Sequence, residues 1–188
     1  GICYESSTGN SVLNSILKNC TIYDNSALNQ GEGIYASTGS NVSFSLNLLS
    51  SIIVNEGGDN ISNNISSVVY SQGYNILSDS ISNYTVGSDQ LDVDSSALKL
   101  KPLSYNGGTT KTLLPLFGSI AIDMGNLVDG SNAQNGSFTG RRDVGATETC
   151  ISAVYDTVIT CSNYFFGNQL CDQTGMYYDS LTNINGCD

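Results

Sequence analysis

The groups that could do chemistry are few and unevenly placed. The chain has 188 residues and no His, with 6 Lys and Arg against 17 Asp and Glu, a net charge of −11. Without an imidazole there is no Ser–His–Asp triad, and no glycine-rich phosphate loop is present. The densest acidic group is Asp89, Asp92 and Asp94. Their oxygens could join the roughly six to eight that a calcium ion takes, or supply paired carboxylates for glycoside hydrolysis. The structural alternative, which is the expectation, is that they are turn residues whose side chains bond nearby backbone. Asp123, between Ile120-Ala121-Ile122 and Met124-Gly125, is read the same way, as a carboxylate accepting N–H bonds in a turn rather than a catalytic acid. Arg141 and Arg142 could hold a glycan or an anion. Pairing of one of them with Asp143 or Asp123, across an end of the fold, is preferred because Arg–carboxylate forks are common.

The six cations are Lys18, Lys99, Lys101, Lys111, Arg141 and Arg142. They form no basic stripe, so nucleic acid is a poor partner. Only Lys18 lies among the first 98 residues, and a chain this acidic repels polyuronates, which argues against lyase chemistry. No catalytic residue is assigned. No apolar run approaches the roughly 20 residues of a membrane span. The cysteines are Cys3, Cys20, Cys150, Cys161, Cys171 and Cys187. Zinc is disfavoured because the chain has neither CxxC spacing nor His. Six cysteines leave many disulfide connectivities open.

The elements that must position these groups are strands. Residues 1–86 carry a faint repeat with an offset of about 31–32 residues, within the range that marks stacked arrays. Gly1-Ile2-Cys3 matches Gly33-Ile34-Tyr35, and Leu17 to Asp24 matches Leu48 to Asn55. Asn41 to Leu46 alternates polar and apolar, the period of a half-buried strand. Gly31, Gly33, Gly39, Gly57 and Gly58 punctuate the runs. Helical periodicity is absent, so strand should dominate. Residues 65–86 read as the last full unit, and composition shifts at Cys150.

Pro102 to Glu148 alternates turn chemistry with short apolar runs. It reads PLSYNGGTTKTLLPLFGSIAIDMGN, then a polar insert, then GRRDVGATE. Asn106-Gly107-Gly108 tolerates positive φ, Pro115 suits a sheet edge, and Ile120-Ala121-Ile122 is strand-like. This layout closely resembles the C-terminal end of secreted bacterial right-handed parallel β-helix surface proteins. The tail, with Phe165-Phe166-Gly167-Asn168 and Gly186-Cys187-Asp188, resembles a tandem β module of Bacteroidota surface proteins.

The resemblance implies an all-β fold in three parts. These are β-helix coils over 1–86, terminal coils and an end cap over 87–148, and a truncated, disulfide-linked β module over 149–188. It implies a fragment of a longer extracellular protein, exported by the type IX route, held by outer-membrane anchoring machinery, and acting as a stalk or adhesin-like display scaffold. It also implies a disulfide Cys161–Cys187; Cys150–Cys171 is then expected as the remaining tail pair, and Cys3–Cys20 as a tie across the first coil. Ser80, Thr157 and Ser180 match the Asp-Ser/Thr-apolar signal for O-glycosylation in that phylum. Sequons at Asn41, Asn60, Asn64, Asn83 and Asn135 would matter only in a eukaryotic secretory route. No cofactor is expected, calcium at Asp89, Asp92 and Asp94 being the weak alternative. The competing function is binding or cleavage of surface glycans, in a groove of aromatics and carboxylates on the outer face of the coils. Tyr4, Tyr23, Tyr35 and Tyr70 are its candidate aromatics.

Overall fold

The computed structural model describes residues 1–6, 11–28, 31–39, 41–57, 59–63, 67–79, 85–128, 130–136, 141–149, 157–159, 163–166 and 169–177. It forms two compact units, Gly1–Thr149 and Cys150–Asp188. The first is all-β and built on parallel pairing. Its chain runs three times through the same three positions. The first round is β1 (Ile2–Ser6), β2 (Ser11–Lys18) and β3 (Thr21–Tyr23). The second is β4 (Ile34–Thr38), β5 (Val42–Leu49) and β6 (Ile52–Val54). The third is β7 (Ile61–Asn63), β8 (Ser67–Ser71) and β9 (Ile76–Leu77). Three parallel sheets result, in the orders β1-β4-β7, β2-β5-β8 and β3-β6-β9.

The register follows the repeat seen in the sequence. Ile2 pairs with Ile34, Leu17 with Leu48 and Thr21 with Ile52. The third round is shorter, pairing Ile34 with Ile61 and Ile52 with Ile76. Alternation in β5 sends Val42, Phe44, Leu46 and Leu48 inward, where all are buried. They meet Ile34 and Ala36 from β4, Ile53 from β6 and Leu77 from β9 in one core. Each fully buried Ile or Leu contributes roughly 1.5–3 kcal/mol, which offsets the entropy of ordering so many short strands.

The corners repeat as faithfully as the strands. Asn19, Ser50 and Tyr74 stand two residues before β3, β6 and β9, and all three are left-handed, with φ of 51°, 48° and 60°. Such backbone costs roughly 1–2 kcal/mol per non-glycine residue, so something must hold it. Beside it the Cys20 N–H donates to Ser51 Oγ (3.2 Å), the Ser51 N–H to Asn75 Oδ1 (3.0 Å) and the Asn75 N–H to Asp89 Oδ1 (2.9 Å). A second ladder runs from the Asn25 N–H to Asn55 Oδ1 (2.6 Å) and from the Asn55 N–H to Ser78 Oγ (3.1 Å). Corner N–H groups that no strand can satisfy are thus paired with the next round.

The segment after β9 leaves the three-strand pattern of the rounds. Gln90 does bridge to Ile76 in parallel, and Leu91 packs on the inner core. The rest runs along the side of the stack as a strap over the outer face of β3-β6-β9. There Ile52, Val54 and Ile76 form a second core with Leu98, Ala121 and Val144. The cause lies in β6: Ile52-Ile53-Val54 does not alternate and is buried throughout, and a strand apolar on both faces needs cover on both.

The strap contains the helical turn α1 (Ser95–Leu98) and the antiparallel hairpin of β10 (Ser104–Tyr105) with β11 (Lys111–Thr112). The hairpin turns at Gly107, φ 97°, and Asn106 Nδ2 closes it on Thr112 O at 2.9 Å. Pro115 makes an isolated antiparallel bridge with Leu100. Ile120-Ala121-Ile122 is a turn and not a strand, because its backbone bonds serve the strap: the Ile122 N–H donates to Ser119 O and the Val144 N–H to Ala121 O. The strap meets the stack at Gly145, φ 105°, whose N–H donates to Ser50 O at 2.9 Å. A Cβ at Gly145 would lie 2.6 Å from Thr21 Oγ1. In the second unit the described strands are the hairpin pair β12 (Tyr164–Phe166) and β13 (Gln169–Cys171).

Candidate functional site

Among the described residues of the first unit, the strap does not extend over the outer face of β2-β5-β8. Because β2 and β5 alternate, every second residue there points away from the core. In register these outward residues form rows across the rounds: Val12 with Ser43, then Asn14 with Ser45 and Val68, then Ile16 with Asn47 and Tyr70, then the exposed Lys18 with Leu49. Val12 is 72% exposed, Ile16 69% and Tyr70 41%. An open groove of about 530 Å³ lies on this face, lined by Val12, Asn14, Val68 and Tyr70 and by the run from Asn41 to Ser45. Ser45 Oγ donates to Asn14 Oδ1 at 2.5 Å, and Gln72 Nε2 to Asn47 Oδ1 at 3.0 Å. The lining holds hydroxyls, amides, one phenol and aliphatic surface, with no carboxylate and no cation.

Of the four candidate aromatics the structure brings only Tyr70 to this groove. Tyr4 packs against the core, its ring 4.7 Å from that of Phe44. Tyr23 packs on the second core under the strap, and Tyr35 belongs to a different sheet. The expected carboxylates are elsewhere too. The signal that locates the groove, alternation through Asn41–Leu46, was legible in the sequence. Its neighbours in the rows were not, because the third round is out of step with the first two.

Two of the acidic trio, Asp89 and Asp94, carry structural hydrogen bonds. Asp89 Oδ1 accepts from the N–H and Nδ2 of Asn75 at 2.9 and 3.0 Å, and its Oδ2 accepts from the Val86 N–H at 2.9 Å. Asp94 caps α1, accepting from the Ser96 N–H at 2.8 Å. Hydrogen bonding by Ser96, side chain first and backbone second, holds its carboxyl below the usual range. Asp92 is exposed, with φ 53°. Among the described residues no three acidic, Cys or His side chains are grouped to hold a metal ion. Asp123 is also a turn residue, but its backbone N–H is the donor, to Asp143 Oδ1 at 2.8 Å.

The strap has its own buried polar centre. Arg142 is 3% exposed, Asp143 1% and Glu148 5%. The partner of Arg142 is Glu148, Nε to Oε1 2.7 Å, in place of the expected Asp143 or Asp123. Asp143 is taken by backbone: Asp123 N–H on Oδ1 and Thr149 N–H on Oδ2. Arg142 Nη1 also donates to Ser131 O. Glu148 Oε2 accepts the Asp143 N–H at 3.0 Å. Burial, the largest influence, pushes Glu148 up to about 7, against the lowering by the Asp143 N–H and by Arg142. Burial likewise raises Asp143, opposed by the N–H groups of Asp123 and Thr149. This buried centre ties parts of the strap together, although Glu148 Oε1 has only its ion-pair contact and Arg142 Nη2 has no hydrogen-bond partner among the described residues.

Cys3, Cys20 and Cys171 are free thiols. The expected Cys3–Cys20 bridge is not formed. Cys3 is exposed on β1, while Cys20 sits half-buried in the corner between β2 and β3 with Sγ 3.3 Å from Lys18 O. A disulfide needs the two Cβ atoms roughly 3.5–4.5 Å apart and facing. Burial raises the Cys20 thiol's pKa, which lowers its reactivity. Cys171 is not bridged to Cys150, and Cys150 itself, like the pair Cys161 and Cys187, lies outside the described residues. Of the O-glycosylation candidates, Thr157 is exposed, while Ser80 and Ser180 lie outside the described residues. Asp79, the acid before Ser80, accepts from the Asn60 N–H at 2.9 Å.

Two sequons carry structural loads instead. Asn60 is 1% exposed and bonds Ser78 and Asp79, and Asn135 exchanges two hydrogen bonds with the Glu148 backbone. Asn41 is exposed at the groove, and Asn64 and Asn83 lie outside the described residues. Comparison with protein-family models, with curated proteins and with solved structures gives no match to this chain.

Proposed function

We propose that this chain is a right-handed parallel β-helix segment of an extracellular bacterial surface protein, serving as a stalk or display scaffold rather than an enzyme. The observation that carries the reading is the three-round stack: three parallel sheets in continuous register around a single core. Stacked rounds of this kind make a stiff, extendable rod in which each unit buries its apolar face on the next. The two corner ladders and the side strap support it, since they tie residues of different rounds together and resist local opening outside the cell. Of the candidate carboxylates, Asp89 and Asp94 are spent on backbone N–H groups. The resemblance of Pro102–Glu148 and of the tail to secreted Bacteroidota proteins adds type IX export and outer-membrane anchoring to the proposal.

The test is protease shaving of intact producing cells, followed by detection with an antibody to residues 1–149. Loss of the epitope without lysis is expected, and an epitope found only inside the cell ends the reading. A parallel hydrolase and lyase screen over plant, algal and host polysaccharides, with and without calcium, should show no turnover. Turnover abolished by Asp92→Asn with Asp94→Asn, folding intact, would reveal a catalytic site in place of a turn.

A further inference from the structure

We infer that the bare outer face of β2-β5-β8 is a binding site for neutral glycan chains, with Tyr70 as the stacking platform and Asn14, Asn41 and Ser43 as the polar contacts. The chemistry of the groove selects the ligand. A chain of net charge −11 keeps every carboxylate and every cation out of this lining. Within the described lining phosphates, uronates and nucleic acid find no counter-charge and a basic peptide finds no acid, Lys18 standing on the same face but outside the groove. An uncharged ligand with many hydroxyls fits: amides and hydroxyls donate and accept together, while an aromatic face takes the apolar C–H side of a sugar ring.

The site is also preorganised. The Ser45–Asn14 bond at 2.5 Å fixes the Asn14 amide with its oxygen occupied, leaving Nδ2 to donate. The Asn41 and Ser43 side chains make no hydrogen bond among the described residues. Ser43 and Ser45 stand on β5, whose inner face is buried in the core, while Asn14 stands on the edge strand β2 and Asn41 in the turn before β5, with φ 75°. The volume, about 530 Å³, lies in the range of small-ligand sites, roughly 300–1,000 Å³. Three strands about 4.8 Å apart make a face roughly 10 Å across, suited to a short stretch of a longer chain. Binding here can coexist with the scaffold role, and each can fail without the other: the shaving experiment reads location, the one below reads ligand.

The experiment is a glycan array on the whole chain, followed by calorimetry with neutral gluco-, manno- and galacto-oligosaccharides and with oligogalacturonate as the acidic comparator. Binding of at least one neutral series is expected, with a dissociation constant on the order of 10⁻⁴–10⁻³ M for so open a groove. Tyr70→Ala should weaken it about tenfold, Asn14→Ala about fivefold, and Ser43→Arg should abolish it. Ser43 is exposed, so its variant folds and decides the matter should Tyr70→Ala alter the melting curve. No neutral glycan bound at 10-fold above that range, preference for oligogalacturonate, or equal binding by Ser43→Arg would each overturn the proposal. So would self-association in sedimentation that Ser43→Arg abolishes while glycan binding stays, which would assign the face to a second copy of the chain.

Discussion

Two sides of the same strand stack meet opposite fates. On β3-β6-β9 the outward residues are Thr21, Ile52, Ile76 and Val54, and the strap seals them, leaving Ile52 1% and Ile76 0% exposed. On β2-β5-β8 the outward residues include Asn14, Ser43, Ser45 and Asn47, and they stay at the surface with Val12, Ile16 and Tyr70. Both sheets share the inner core and the same corners. The difference lies in alternation. A run such as Ile52-Ile53-Val54 must be covered twice, whereas Val42-Ser43-Phe44-Ser45-Leu46 need be covered once. Structure is therefore invested on one side, and the side left open is the one available for contact with other molecules.

The sharpest way to break this contrast is to release the strap. Arg142→Met removes one partner of a pair whose side chains are each 4% exposed. At pH 8, where Glu148 is largely ionised, it is then left buried without its counter-charge, a loss of about 3–5 kcal/mol. Urea unfolding should show it, and proteolysis within 93–149 should quicken. Unchanged stability would mean that the strap is held by its apolar contacts alone. Those contacts are tested next by Ile52→Ala, which empties the interface from below. An apolar truncation of this kind costs about 2–5 kcal/mol. A loss under about 1 kcal/mol would show that the strap relaxes into the space.

The pH dependence belongs to the same centre, and its sign is fixed by the direction of the shift. Glu148 rises from 4.5 to about 7, so the folded state prefers its protonated form. Its contribution is full below about pH 4.5 and is lost as pH climbs through 7. At 1.36 kcal/mol per unit the loss is at most about 3 kcal/mol. Asp143, also raised, acts in the same sense, as does the growing negative charge of the whole chain. Unfolding at pH 5 and pH 8 should give a smaller difference for Glu148→Gln than for the natural chain. Equal differences would place the dependence on general repulsion.

The sequence made the rounds legible and the strap illegible, for a physical reason. Strand pairing in a stack repeats identities at a constant offset, so Ile2 over Ile34 and Thr21 over Ile52 appear as self-similarity in the bare sequence. The third round loses residues between β4 and β7, and the offset dissolves there. The strap has no repeat at all. Its hold depends on a Gly145 N–H reaching Ser50 O and an Ala146 N–H reaching Thr21 Oγ1, contacts 95 and 125 residues apart in the chain for which no local pattern exists. Arg142 was recognisable as a pairing residue, yet its choice of Glu148 over the adjacent Asp143 is set by three dimensions. Asp143 already receives two backbone N–H groups. The acids of the trio were legible as turn residues, but their individual partners, Asn75 for Asp89 and Ser96 for Asp94, were not.

The smallest expected effect discriminates most finely between the two sides. Ile16 is as apolar as Ile52 and likewise faces outward from a parallel sheet, Ile16 from the edge strand β2 and Ile52 from the central strand β6. One is 69% exposed and the other 1%. If cover and not residue type makes the difference, Ile16→Thr should change stability by no more than about 0.5 kcal/mol, as exposed substitutions do. Threonine keeps the branched Cβ that suits a strand, so backbone preference drops out of the comparison. Glycan affinity should change little, because Ile16, though in the row of Tyr70, is not among the residues that line the groove. Measured beside Ile52→Ala under the same urea titration, the pair isolates the strap's contribution to one sheet. A loss above about 2 kcal/mol at Ile16 would require cover that this face lacks, and would move the site of contact off β2-β5-β8.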